Sequence, residues 1–325
     1  MSSYYTIFKN FLILFGFLFL INELYINFNK IFSHENKNYI LLILIIKIIL
    51  LNLISLRNFQ FLKICTSYKN SLSEWSKIFF ESLIINLTFN HVGTAYRAIE
   101  LKKRGVELRD FVSIFYTTLA FFLIVNFFLI SLELLIFCNF NVKNKIIILL
   151  FVIFSGLSLF LFPKIIENIM YFFRRFKNNF MHKIFTNIFF ICNTILKFFF
   201  LRKIIILLTF YSLLLHFIEL IFFYFVYTIF YKNTGSLNIF FLLFTVNFIL
   251  DRIPYVHQIP GIVETIFALI SIPLGLSFSN SFILKLIIRF SDIISSLITY
   301  IFFSVIMFGK KKMYLLKFGN NNFYF

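Results

Sequence analysis

The stretch that decides the fold is Tyr39–Leu56, YILLILIIKIILLNLISL, an apolar run whose one charged residue is Lys47. A helix needs ~20 mainly apolar residues to cross a bilayer. Comparable runs recur along the chain, at Ile7–Ile26, Phe111–Cys138, Ile146–Phe162, Ile204–Tyr231, Leu237–Leu250, Gly261–Phe278 and Phe282–Phe308. The pattern predicts an all-α polytopic integral membrane protein with about eight transmembrane helices.

Composition excludes a soluble globular protein. Of the 325 residues, 61% are hydrophobic and 14% are charged, against roughly 45–50% and about 25% in ordinary domains. A formal charge of +18 would suggest nucleic acid in a soluble chain. Here the basic residues lie between apolar runs, which indicates anionic lipid headgroups and membrane topology instead. We expect no nucleic-acid partner, and the spread of the three cysteines suggests no metal site or cofactor.

The basic residues also predict an orientation. They concentrate in segments 57–109, 164–203 and 310–317, which one topology places on a single side of the membrane. The other side then holds few cations, namely Lys30, Lys37, Lys143, Lys145, Lys232 and Lys285. The positive-inside rule makes the first side cytoplasmic. We expect an inner (cytoplasmic) membrane protein with both termini in the cytoplasm and a first span that is a retained anchor.

Two further apolar stretches, Ile78–Asn90 and Ile184–Phe200, are bounded on both sides by basic segments. If they crossed, basic clusters would fall on opposite sides. We therefore expect two re-entrant or interfacial helices. No loop is long enough to form a core of its own, so residues 1–325 are expected to form a single membrane-embedded domain without a soluble catalytic domain.

Two interrupted segments carry the strongest functional signal. In the first, an apolar helix reaches polar Asn90, His91 and Gly93, and a new helix follows that carries Arg97 and Lys102. Helix-end groups beside basic side chains predict a site for an anionic, phosphate-bearing headgroup. The second segment runs from Asp251 and Arg252 to Pro260, Gly261 and Glu264, and its prolines cannot lie in one continuous helix. Two ordinary cytoplasmic loops are the alternative interpretation.

Ionisable side chains within apolar runs are costly and are functional candidates by default. Lys47 and Glu133 either take part directly or simply snorkel or pair. His216 and Glu219 share a helical face and form either a proton-relay pair or a structural one. Arg289 lies within the last run. The sequence suggests no catalytic residue.

These residues resemble the flippase-like membrane family related to the transmembrane domain of lysylphosphatidylglycerol synthase. The similar motifs are Gly93-Thr-Ala-Tyr-Arg97 with Leu101-Lys-Lys-Arg-Gly105, and Gly261-Ile-Val-Glu264 followed by Gly275 and Arg289. Thr94 stands where the family prefers an acidic residue. The resemblance implies translocation of an anionic phospholipid or a lipid-linked sugar. Arg97 and Lys102 would contact the headgroup, and Glu264 would contact it or pair with Arg289.

Two other functions stay open. A membrane-embedded glycosyltransferase would use a lipid-linked sugar, but such enzymes need an acidic pair in an outside loop, and Glu35 is the one carboxylate there. A non-transporting scaffold would recruit envelope-synthesis enzymes as its partners. If the protein translocates lipids, its expected partners are membrane lipids.

Overall fold

The structure is a computed structural model that describes residues 37–66, 68–88, 92–174, 179–231, 236–252 and 261–319. All regular secondary structure in these ranges is helical. The helices are α1 (Lys37–Cys65), α2 (Leu72–Thr88), α3 (Val92–Lys103), α4 (Leu108–Phe137), α5 (Val142–Arg174), α6 (Asn179–Phe200), α7 (Arg202–Tyr231), α8 (Leu237–Leu250), α9 (Ile262–Ser271) and α10 (Phe278–Gly319), with a 3₁₀ turn at Ile272–Leu274. The predicted all-α class is confirmed in the described part of the chain.

Four described helices are long and apolar enough to cross a membrane: α1, α4, α7 and α10 as far as Ile306. They coincide within a few residues with the second, third, fifth and eighth predicted spans, although α1 continues nine residues beyond the apolar run. Large apolar side chains remain exposed along them; on α1, Leu41, Ile45 and Ile49 follow one another at every fourth position. Such a stripe is expected of a helix face that contacts lipid.

The other predicted spans have different outcomes. Ile7–Ile26 lies outside the described residues, and Ile146–Phe162 lies within α5, whose side chains are described only in part. Helices α8 and α9 contain 14 and 10 residues. At 1.5 Å per residue they are about 21 and 15 Å long, shorter than the ~30 Å of the hydrocarbon core. The total of eight spans therefore stays a prediction, as does the interfacial placement of α2 and α6.

The chain divides into two compact units. The first comprises residues 1–47, 127–153 and 216–294, and the second comprises residues 48–126, 154–215 and 295–325. Within the first, Ala268, Phe282, Ile283 and Leu286 form a fully buried cluster. Within the second, aromatic pairs join distant helices: Phe61 with Phe198, Phe80 with Phe303, and Phe121 with Phe199. That this constitutes a single membrane-embedded domain stays a prediction.

Helices α2 and α3 of the second unit fold back on each other. The hydroxyl of Tyr96 donates to Glu81 Oε2 at 2.7 Å, and Gly93 packs directly on the backbone of Ser82. A Cβ added at Gly93 would lie 1.8 Å from the Ser82 carbonyl oxygen. Because neither backbone can give way cheaply, this helix pair requires glycine at position 93. Asn90, where the interruption was predicted, lies outside the described residues; α2 ends at Thr88 before it, and α3 begins at Val92 after it.

We expect Gly93→Ala to force α2 and α3 apart and to lower the thermal unfolding midpoint of the purified protein in detergent. Overpacking a tight contact costs typically about 1–3 kcal/mol. Ala95→Ser is the control, because Ala95 lies on the same helix and is exposed. Equal midpoints for Gly93→Ala and the wild type would contradict the packing role of Gly93.

Candidate functional site

Among the described residues, the first unit contains four ion pairs and one histidine–carboxylate pair that join its apolar helices. Each pair brings one carboxylate within 4 Å of one basic side chain. The pairs are Lys47–Asp292, His216–Glu133, Arg252–Glu219, Lys285–Asp251 and Arg289–Glu264. Because isolated charges are costly in an apolar surrounding, their pairing is what allows these side chains to lie there.

Lys285 is the most deeply placed cation of this group. Sequence analysis assigned it to an outside loop, and this was wrong: Lys285 lies in the second turn of α10 and is 3% exposed. Its ammonium donates to Asn247 Oδ1 at 2.6 Å and to Asp251 Oδ1 at 2.5 Å. Asn247 and Asp251 are four residues apart at the end of α8, so both present oxygens to one ammonium.

Glu264 and Arg289 form the pair beside the second interruption. Glu264 is 1% exposed, and its Oε1 accepts from Arg289 Nη1 at 2.6 Å. Its other oxygen accepts from the backbone N–H of Gly261 at 2.9 Å. Gly261 has a φ of 86°, a conformation that favours glycine. The carboxylate therefore closes the first turn of α9 and holds Arg289 at the point where the chain re-enters a helix.

Three charged residues in the first half of helix α10 lie on one face. Lys285, Arg289 and Asp292 are spaced four and three residues apart, which aligns them along one side of a helix. Asp292 Oδ1 lies 2.6 Å from Lys47 Nζ, whose ammonium also lies 4.6 Å from the ring centre of Phe222. Side-chain exposure rises along the stripe, from 4% at Lys285 to 22% at Arg289 and 42% at Asp292. The stripe thus runs from the interior of the unit towards its surface.

His216 and Glu219, expected to share a helical face, contact different partners. His216 is fully buried, and its Nε2 lies 2.7 Å from Glu133 Oε1 on α4. Glu219 lies 3.5 Å from Arg252, just beyond the end of α8. Arg252 in turn stacks over the ring of Phe248 at 4.9 Å. The two residues therefore link α7 to two separate parts of the unit.

Arg97 is a buried cation of the second unit. It is 6% exposed, and its Nε and Nη2 both donate to Ser82 Oγ, at 2.9 and 2.5 Å. The ring centre of Phe79 lies 4.6 Å from its guanidinium carbon. Within the described residues no carboxylate pairs with Arg97. Burial lowers the pKa of Arg97 to about 10, so the side chain is still a cation at neutral pH.

A cavity of about 120 Å³ adjoins Arg97. By the ~10–15 Å³ that one water occupies on this measure, it has room for several small groups. Helix α1 contributes a second guanidinium to it, that of Arg57, which is 8% exposed. The remaining wall is mostly apolar: Leu62, Trp75, Phe111, Ile114, Phe115, Leu119 and Phe122, with Asn58 and Thr118.

The other predicted site residues are placed as follows. Lys102 is exposed on α3 and does not line the cavity. Gly93 is buried against α2 and serves the packing of that pair. Pro260 lies outside the described residues, whereas Asp251, Arg252, Gly261, Glu264 and Arg289 all belong to the ion-paired group of the first unit.

Four residues of these sites were not predicted as site residues: Asn247, Asp292, Lys285 and Arg57. Arg57 was expected only as one cation of the basic segment 57–109, and α1 places it in the buried wall of the cavity; the cytoplasmic side of that segment stays a prediction. The spacing of Lys285, Arg289 and Asp292 was a readable signal, because three charges on one helix face inside an apolar run predict partners on neighbouring helices.

Comparison with known proteins found no match to this chain, whether among protein-family models, curated proteins or solved structures. The class of protein that the fold defines is an all-α protein with several helices suited to span a membrane. The resemblance to the flippase-like family stays a prediction that rests on the motifs alone.

We expect Asp251→Asn to destabilise the protein, because it leaves the ammonium of Lys285 buried beside neutral oxygens only. Breaking a buried pair costs about 3 kcal/mol or more. The double variant Asp251→Asn/Lys285→Met removes both charges and should recover most of the loss. The measurement is the free energy of unfolding of the detergent-solubilised protein.

The matched control is Glu107→Gln, which breaks the exposed pair Glu107–Arg109. An exposed pair contributes roughly 0–1 kcal/mol. If Asp251→Asn had no larger effect than Glu107→Gln, the Lys285–Asp251 pair would not be a structural requirement of the first unit.

Proposed function

We propose that this protein handles membrane lipids and moves an anionic phospholipid or a lipid-linked sugar between the leaflets of an inner (cytoplasmic) membrane. The observation that carries the proposal is the buried Glu264–Arg289 pair at the start of α9. Charged side chains within membrane spans are costly, and they commonly mark substrate and ion pathways. Interrupted helices are the usual place where polar groups are offered to a transported headgroup.

The arrangement of charges supports translocation over a purely structural role. Lys285, Arg289 and Asp292 form a stripe along α10 whose exposure increases along the helix. A headgroup that follows such a stripe meets both signs of charge at successive turns. Its phosphate can contact Arg289, and an amine or hydroxyl can contact Glu264 or Asp292, without any charge being left without a partner.

The experiment is leaflet exchange in vesicles that contain the purified protein, with labelled anionic phospholipid in one arm and a labelled lipid-linked sugar in the other. We expect exchange above that of protein-free vesicles in at least one arm. Glu264→Gln should slow it by about tenfold, since losing a charge-assisted hydrogen bond costs ~1.5–3 kcal/mol.

Glu107→Gln serves as the control for the exchange assay as well, because its carboxylate is exposed and lies outside the first unit. Equal exchange by Glu264→Gln and the wild type would remove the Glu264–Arg289 pair from the mechanism. Exchange at the protein-free rate in both arms would overturn translocation and favour a scaffold that recruits envelope-synthesis enzymes.

The proposed orientation has both termini in the cytoplasm, and it is testable separately. In a variant whose Cys65, Cys138 and Cys192 are replaced by Ser, we expect a membrane-impermeant maleimide to label Asn141→Cys in intact cells. Glu107→Cys should be labelled only after the membrane is opened, because the basic segment 57–109 is expected inside. The opposite pattern would invert the proposed topology.

A further inference from the structure

We propose that Arg57 and Arg97 together bind the phosphate of an anionic lipid in the cavity of the second unit. The inference rests on the proposed lipid function and adds a substrate class and a site to it. The site lies in residues 57–122, and none of the ion-paired residues of the first unit takes part.

Arg97 has no carboxylate partner among the residues that the structure describes. Buried charges in proteins are paired with opposite charges or bind ions, because their transfer out of water costs several kcal/mol. Among the described carboxylates of the second unit, Glu100 pairs with Lys103 and Arg104, Glu107 pairs with Arg109, and Glu81 accepts from the hydroxyl of Tyr96. Within the same described part of the chain, Arg97 contacts a neutral hydroxyl, that of Ser82, and the face of Phe79. An anion in the adjoining cavity would supply an opposite charge.

The N–H donors of the Arg97 guanidinium are arranged in a way that suits a phosphate. A guanidinium carries five N–H donors in a planar fork that fits phosphate oxygens in a bidentate manner. Within the described part of the chain, Nε and Nη2 of Arg97 donate to one acceptor atom. The group therefore has donors to offer, and Arg57 adds a second guanidinium to the same cavity. Two arginines on one cavity suit an anionic group such as a phosphate better than a neutral headgroup.

The apolar wall of the cavity favours a phosphate carried on a lipid over a free phosphate ion. Phe115 and Leu119 line the cavity and yet remain 38% exposed. The cavity wall formed by α4 is therefore continuous with the exposed apolar surface of that helix. A phosphate carried on an acyl or prenyl chain fits this arrangement, since its headgroup reaches the arginines while its chain lies along the phenylalanines. A hydrated ion gains nothing from such a wall.

The chain provides its own reporter for this site. Trp75 is the single tryptophan of the sequence, it lines the cavity, and its indole Nε1 donates to the Ser55 carbonyl at 2.8 Å, which fixes its position. Bromine on a lipid chain quenches tryptophan emission at short range. Because no other tryptophan contributes, quenching reports a lipid chain close to Trp75, and its selectivity for an anionic headgroup reports the cavity.

The experiment places the full chain in phosphatidylcholine nanodiscs that contain a small fraction of either brominated-chain phosphatidylglycerol or brominated-chain phosphatidylcholine. We expect stronger quenching of Trp75 by the phosphatidylglycerol probe, and its reversal by unlabelled phosphatidylglycerol. In Arg97→Gln, binding of the probe should weaken by about tenfold, the effect of one charge-assisted hydrogen bond. Arg97→Lys keeps the charge without the fork and should fall between the two.

Lys103→Gln is the matched control, since Lys103 is an exposed cation of the same helix that pairs with Glu100; its quenching should equal that of the wild type. If Arg97→Gln fails to fold, Arg57→Gln and the competition in the wild type test the same site. A shift of Trp75 emission by inorganic phosphate, without selective quenching by the lipid, would support the anion site but assign it to a free phosphate. Equal quenching by both lipids in every variant would overturn the proposal.

The outcome is independent of the exchange assay. Selective quenching without leaflet exchange would keep the site and remove translocation from the proposed function. Leaflet exchange that is equal in the wild type and Arg97→Gln, with unselective quenching, would keep translocation and remove the site.

Discussion

A charged group among apolar helices must meet an opposite charge or a full set of hydrogen-bond partners, because hydrocarbon cannot solvate it. The first unit satisfies this constraint by pairing. Lys285 contacts the end of α8, and Arg289 contacts the start of α9, one turn further along α10. A rotation or sliding of α10 would separate both pairs at once. The ion pairs thereby define the register of the helices, and the apolar contacts of Phe282 and Leu286 follow from that register.

The second unit satisfies the same constraint differently. Arg97 is buried through close packing of α3 on α2, and this packing in turn depends on Gly93 having no side chain. Ser82 and Phe79 stabilise the guanidinium in part, since a cation over a desolvated ring gains roughly 2 kcal/mol. That is less than the cost of burying an unpaired charge. An anion bound in the cavity, as proposed, would supply the stabilisation that the ring and the hydroxyl do not.

Hydropathy predicted the helices well where apolar runs were long, and α1, α4, α7 and α10 are all where the runs indicated. It was less successful for charged residues near the ends of the runs, because a window of apolar residues does not show how far a helix continues. Lys285 was counted with the outside loops, and Arg57 was placed beyond a helix that in fact continues to Cys65. Partners such as Glu133 and His216, 83 residues apart, follow from tertiary packing, which periodicity does not encode.

The interruption at Asp251–Gly261 was readable because proline and glycine act through the backbone itself. The contacts of Glu264 were not readable in full. The sequence suggested that Glu264 contacts a headgroup or pairs with Arg289, and in the structure it pairs with Arg289 and also accepts from the start of α9. One oxygen accepts from the Gly261 backbone, and the other accepts from Arg289. Moving the Glu264 carboxylate would also break its bond to the Gly261 N–H at the start of α9, whereas moving the guanidinium leaves that bond intact. On the proposed function, Arg289 is therefore the group that changes partners when a headgroup passes, and Glu264 is the fixed point to which it returns.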